Sequence, residues 1–229
     1  MNFLIQTIEG EIKHDFSFTL LEAIRYQNWI NNDQGCTYLL INEKMPAFRK
    51  DGIPVGSVEF VSHYLETHFN KKPMPRNIPD PLIPFADRLV FNDTEKGLID
   101  KYFVKSNEKI KGFTDIISPG EPLAPGNYQF SELIEIDSEW RCFVYQGKLV
   151  GLQNYSGDFT MFPDIKEIAQ MIEDFVTAPI SYTLDVGINK GGTFVIEAHD
   201  FFSCGLYGFA DLRILPFMFS RWFLEFIQS

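Results

Sequence analysis

Five prolines fall within the fourteen residues KKPMPRNIPDPLIP, residues 71–84. Each fixes its own φ, lacks an amide hydrogen and pushes its predecessor out of the helical region. Neither a helix nor a central strand can run through such a stretch. The chain is therefore expected to fold in two blocks, a small α/β N-terminal domain over 1–75 and a larger domain over 76–229. At 229 residues there is enough chain for one large core or two smaller ones.

The first block reads as a compact α/β unit. Residues 2–8 alternate apolar and polar like a strand, 15–30 carry Phe16, Leu20, Ile24 and Trp29 at helical spacing, and CTYLLI at 36–41 is a second strand. In IPVGSVEFVSHYLETHF, Ser57 is a natural N-cap for a helix with Val58, Val61, Tyr64 and Leu65 on its apolar side. Beyond the prolines, TEKGLIDKYF reads as helical and FVKS as the end of a strand. GFTDII, NYQFSELIEI, EWRCFVYQ and KLVGLQNY follow as strands, with helices over 163–177 and 211–227.

YTLDVGI and TFVIEAHD flank the turn residues Asn189 to Gly192. A turn centred on Gly191 sets Asp185 opposite Glu197, and Glu197 and His199 share a face. Facing carboxylates destabilise a hairpin unless a cation or a shared proton compensates them, so Asp185, Glu197 and His199 form a candidate site for a hard divalent ion. On that basis, removing both carboxylates should raise the stability of the metal-free protein. A one-residue slip of register, placing one carboxylate in water, is the alternative.

In SEWRCFVYQGKLV, Gln146-Gly147 suits a tight turn and Glu139, Arg141 and Phe143 alternate onto one face. Arg141, between Trp140 and Cys142, is placed either to recognise a carboxylate or phosphate or to pair with an acid such as Glu139. Lys105 ends an apolar strand and precedes a polar loop with Lys109, Lys111 and Gly112. Such a lysine can hold phosphates as a point charge, although loops of this kind are often only solvated and no P-loop spacing is present.

With 31 acidic and 20 basic side chains the formal charge is −11, which disfavours binding to nucleic acid or an anionic membrane outside a local basic pocket. Cys36, Cys142 and Cys204 are far apart without a CxxC pair, which speaks against a disulfide framework or a cysteine zinc site. No secretory signal or long apolar run is visible, so a cytoplasmic setting is expected. The 23 phenylalanines point to an aromatic core.

The order of FVKS, a glycine-containing loop, FSELI, EWR and the late Asp185 hairpin resembles the ATP-grasp superfamily. The likeness is strongest to the clade with a variant active site of two arginines and one lysine, through PVGSVEF, FVK, SE…EWR, YTLDVG, IEAHD and GLYG. It spans about residues 53–222. The resemblance implies an α+β ATP-grasp fold, two subdomains (76–131, bearing a lid, and 132–229, binding metal) that clasp ATP. It makes Lys105 a phosphate lysine, Lys111 or Gly112 part of the lid, and Arg88 the counterpart of a second phosphate lysine. Glu132, Leu133 and Ile134 become the hinge that binds adenine through backbone groups. Arg141 then faces the transferring phosphate or the substrate carboxylate, while Asp185 and Glu197 hold magnesium. His199 departs from the asparagine usual at its position, which implies help from Asp200, tolerance of manganese or a weakened second metal site.

The implied activity is ATP-dependent carboxylate–amine ligation through an acyl phosphate. The implied partners are ATP, a small carboxylate or peptide and an amine, and a homodimer is allowed. A nucleotide-binding regulatory or interaction module is the alternative, favoured by His199 and the short lid. A hydrolase using Asp185 and Glu197 would leave Lys105 and Arg141 unexplained.

Overall fold

The computed structural model describes residues 1–32, 35–42, 50–92, 100–110, 112–118 and 120–229. In chain order its elements begin β1 (Asn2–Thr7), α1 (Asp15–Ile30), β2 (Thr37–Asn42), β3 (Ile53–Val55) and α2 (Val58–Phe69). After a 3-10 helix at Asp80–Phe85 come β4 (Val90–Asn92), β5 (Tyr102–Ser106), β6 (Thr114–Ile117), β7 (Tyr128–Glu132), β8 (Ser138–Tyr145) and β9 (Lys148–Gly157). The rest is α3 (Ile165–Asp174), β10 (Ser181–Asn189), β11 (Gly192–Asp200) and α4 (Leu215–Gln228). Packing divides them into two units. One comprises Met1–Lys72, Ala178–Tyr182 and Asp200–Ser229, and the other Pro73–Thr177 and Thr183–His199. Among the described residues, no helix is long and apolar enough to cross a membrane.

In the first unit, β1 is the middle strand of a parallel sheet ordered β2-β1-β3. A central parallel strand is covered on both faces, so β1 is buried along almost its whole length instead of alternating as its sequence suggests. Helix α2 starts where expected, the Ser57 hydroxyl accepting the Phe60 amide at 3.2 Å, and ends on Asn70 in the left-handed region. The apolar core of this unit is completed by α4: Phe219 lies against Phe16, and Phe223 against Tyr64 and Phe69.

The second unit holds two antiparallel-rich sheets, ordered β4-β7-β5-β6 and β11-β10-β8-β9. Tyr102, Val104, Ile117, Tyr128 and Phe130 fill one face of the first. In β5 these core residues alternate with Phe103 and Lys105, which face the other way. The β8–β9 hairpin turns on Gln146 and Gly147, both at positive φ (51° and 68°), as expected for a two-residue turn.

Two expectations are corrected here. The proline run does form a helix, a short 3-10 one, because its i→i+3 bonds need only the amides that remain: Leu82 to the Pro79 carbonyl and Ala86 to that of Ile83. TEKGLIDKYF does not end as a helix, since Tyr102 and Phe103 lie in β5; residues 93–99 fall outside the described residues. Helical spacing in so short a window is outweighed by pairing with β6 and β7 on either side.

Candidate functional site

Lys105 reaches the site because β5 is a central strand with one face spent on the core. Its registered neighbours are Thr114 of β6 and Gln129 of β7. Its ammonium forms an ion pair with Glu197 of β11 and lies 5.5 Å from the centre of the Phe103 ring. The other oxygen of Glu197 lies 2.9 Å from Nε2 of His199, two residues on along the same strand. Burial by itself raises the Glu197 carboxyl, but His199 and Lys105 outweigh it and hold it well below the usual carboxylate range.

Asp185, on β10, is 1% exposed and is clasped by Arg141 of β8. Arg141 Nε donates to Oδ1 at 2.8 Å and a terminal nitrogen to Oδ2 at 2.6 Å, a two-pronged contact. The guanidinium also lies 5.7 Å from the Tyr155 ring, whose hydroxyl donates to Glu139 at 2.8 Å. Asp185 is thus the acid paired with Arg141, while Glu139 takes Tyr155. The turn of the β10–β11 hairpin is Lys190-Gly191, half a residue before the expected centre. The carboxylates nevertheless converge, and one ligand atom each from Asp185, Glu197 and His199 lies within 4.8 Å of the others.

Lys105, Glu197 and His199 line a cavity of about 170 Å³ together with Lys109, Gly112 and Phe113 of the loop between β5 and β6. Lys111 lies outside the described residues. Arg141 is not among the lining residues and joins the cluster through Asp185. Arg88 stands behind β11, donating to the carbonyls of Ala86 (2.9 Å) and Val195 (3.0 Å) and packing 5.8 Å from the Phe194 ring. Burial pulls its guanidinium below its ordinary value, with the charges of Asp87 and Glu197 opposing that. In the hinge, the Glu132 amide donates to the Leu89 carbonyl, Leu133 is exposed, and Ile134 lines a separate cavity of about 340 Å³ with Asp87 and Asn189.

The residue that sequence reasoning passed over is Asn77. It lines the same cavity as Lys105 with a left-handed backbone (φ 45°), and an asparagine within the proline run, a residue type that tolerates this conformation, was the one available signal. Nearby, Gln129 clasps the backbone of Ile78, accepting from its amide at 3.0 Å and donating to its carbonyl at 2.9 Å.

The cluster as a whole sets two cations against two carboxylates, with an imidazole beside them and a glycine-containing loop above. A family described as an ATP-grasp domain, the second family of its clade, matches residues 90–216. The chain belongs to the ATP-grasp family. That match runs from the first strand of the β4-β7-β5-β6 sheet to the start of α4 and takes in Lys105, Arg141, Asp185, Glu197 and His199. Solved structures share the ATP-grasp fold across their full length. A RimK domain ATP-grasp protein from Sphaerobacter thermophilus DSM 20745 is 14% identical with a TM-score of 0.54, each chain covered to 100%. A D-alanine–D-alanine ligase from Bacillus anthracis is 12% identical with a TM-score of 0.54, over 100% of this chain and 99% of that one. The D-cycloserine synthetase DcsG is 11% identical with a TM-score of 0.62, over 97% and 100%. The sequence has no significant match among proteins of curated function. Membership in the ATP-grasp family supports ATP binding and, as a class of reaction, ATP-dependent carboxylate–amine ligation.

Proposed function

We propose that this ATP-grasp protein is an ATP-dependent carboxylate–amine ligase that forms an amide or peptide-like bond through an acyl phosphate. The observation that carries the reading is the cluster in which Lys105 meets Glu197 and His199 under the loop bearing Lys109 and Gly112, with Arg141 and Asp185 behind it. A substrate carboxylate oxygen attacks the terminal phosphorus of ATP, and the bond to the bridging oxygen breaks as ADP leaves with the electron pair. The amine then attacks the acyl carbon and loses a proton while inorganic phosphate departs.

Lys105 holds phosphate oxygens in this reading, and Arg141 faces the transferring phosphate or the substrate carboxylate. Arg88 stands where many family members carry a second phosphate lysine. Residues 132–134 hold adenine, and the loop with Lys109, Lys111 and Gly112 closes over the phosphates. Asp185, Glu197 and His199 hold Mg2+, with Mn2+ tolerated. The donor set fits: two carboxylates suit a hard ion, and ligand atoms within 4.8 Å need to close only slightly to the ~4.2 Å span of ligands at about 2.1 Å from magnesium. When bound, such an ion neutralises phosphate charge.

The test is Mg2+-dependent ADP release measured across a panel of amino acids, small peptides and amines. Release that requires an acid and an amine together supports the ligase. One observation favours a second reading, a nucleotide-binding module without turnover: both carboxylates of the cluster are already paired with protein cations. Tight Mg·ATP binding with no ADP release across the panel selects that reading.

A further inference from the structure

We propose that Asn77 is a positioning residue that sets the distance between the phosphate lysine and the metal-holding strand; this rests on the functional reading above. Asn77 is 6% exposed and makes contacts in two directions. Its side-chain amide donates to the carbonyl of Ser106 at 3.1 Å and to Oδ1 of Asn107 at 2.6 Å. Its main-chain carbonyl accepts the amide of Ala198 at 2.8 Å.

The places it touches decide its effect. Ser106 follows Lys105 directly, and its amide donates to the carbonyl of Phe113, closing the base of the loop over the cavity. Asn107 is tied in turn to Asn127 through its amide and its side chain, each at 2.9 Å. Ala198 lies between Glu197 and His199. One residue therefore holds the end of the lysine strand, the foot of the loop and the midpoint of the ligand pair.

The orientation of the amide follows from chemistry, since the Ser106 carbonyl can only accept and must face the nitrogen of Asn77. The left-handed backbone at φ 45° is one that asparagine and glycine tolerate and β-branched residues do not. β11 is also the edge of its sheet, and Asn77 on Ala198 and Arg88 on Val195 each hold one of its backbone groups. Without the side chain of Asn77, Lys105 and the Glu197–His199 pair sit on two sheets with one tie fewer between them.

The test uses Asn77→Gly, which keeps the left-handed backbone and the carbonyl to Ala198 and loses only the side chain. Mg·ATP affinity is measured calorimetrically and Mn2+ binding without nucleotide by electron paramagnetic resonance, beside Tyr64→Phe as a control that loses a buried hydrogen bond in the other unit. Asn77→Gly is expected to weaken both ligands about tenfold while Tyr64→Phe leaves them unchanged. Should Asn77→Gly not fold, Asn107→Ala, which removes one of the two acceptors, is expected to weaken Mg·ATP about threefold. Wild-type affinity in the Asn77→Gly or Asn107→Ala protein overturns the inference alone. A wild-type protein that binds neither Mn2+ nor Mg·ATP overturns the functional reading and this inference with it.

Discussion

Lys105 and Glu197, 92 residues apart in the chain, form an ion pair in the lining of the cavity. The lysine expected to hold phosphate is thus held by the carboxylate expected to hold metal. A metal ion that takes Glu197 frees Lys105 for an anion, so the two ligands help each other in the sense of a coupling free energy. Glu197→Gln removes the carboxylate charge while keeping the shape. In a chelator, metal-free ATP is expected to bind this variant several-fold more tightly than the wild type, whereas in Mg2+ it binds more weakly. Calorimetry under both conditions checks it, and weaker binding in both shows that Glu197 does not restrain Lys105.

Arg141 and Asp185 form the more deeply buried pair. Opposed carboxylates alone suggest that their removal stabilises the metal-free protein, but each already has its cation, and the expected sign reverses. Breaking a buried pair from one side leaves the other charge uncompensated, at a cost of about 3–5 kcal/mol. Asp185→Asn is therefore expected to lower the metal-free melting temperature, and Arg141→Met with Asp185→Asn to recover part of the loss. A single variant as stable as the wild type contradicts this.

Lys105 and Arg141 are expected to divide the work between binding and turnover. Lys105→Met should mainly raise the KM for ATP, since a lysine on ground-state phosphates contributes to binding before the reaction. Arg141→Lys, which keeps the charge but loses the two-pronged geometry on Asp185, should mainly lower kcat, by about tenfold or more. Steady-state kinetics with ATP varied separates the two. Equal effects on KM in both variants remove the division.

His199 is either a metal ligand or a group that acts on the substrate, and one variant separates the two. As a ligand, its replacement by asparagine offers magnesium an amide oxygen in place of imidazole nitrogen, and turnover in His199→Asn is expected to equal or exceed the wild type. Ligation lost with Mg·ATP affinity kept assigns the imidazole to the substrate instead, where it serves as a base.

The parts of the fold and of the site legible in sequence were those whose signal is local. Alternation and the Asn-Lys-Gly-Gly turn mark the β10–β11 hairpin, and Ser57 before an apolar stripe marks α2. The pairing of Arg141 was open because its partner lies 44 residues away on a neighbouring strand, beyond any periodicity. The anchoring of Arg88 could not be read because its acceptors are backbone carbonyls, which have no sequence signature. Asn77 was hidden for the same reason: its partners are main-chain groups and another asparagine, and the prolines around it suggested only a connector. FVKS was read as strand, but Tyr102 and Phe103 were also assigned to a helix because the spacing of TEKGLIDKYF fits one, while strands on both sides claim their backbone.

The helix α4 closes the core formed by α1 and α2, through Phe219 on Phe16 and Phe223 on Tyr64. During synthesis, residues 1–72 leave the ribosome with that apolar surface uncovered, and it stays so until the last residues of α4 are made. The residues of the other unit, all lying before position 200, are translated in full by then. The order of emergence is therefore the reverse of the order of completion, and a ribosome that stalls within α4 strands the first-made unit without the helix that closes its core, although every residue of the later-made one has been translated.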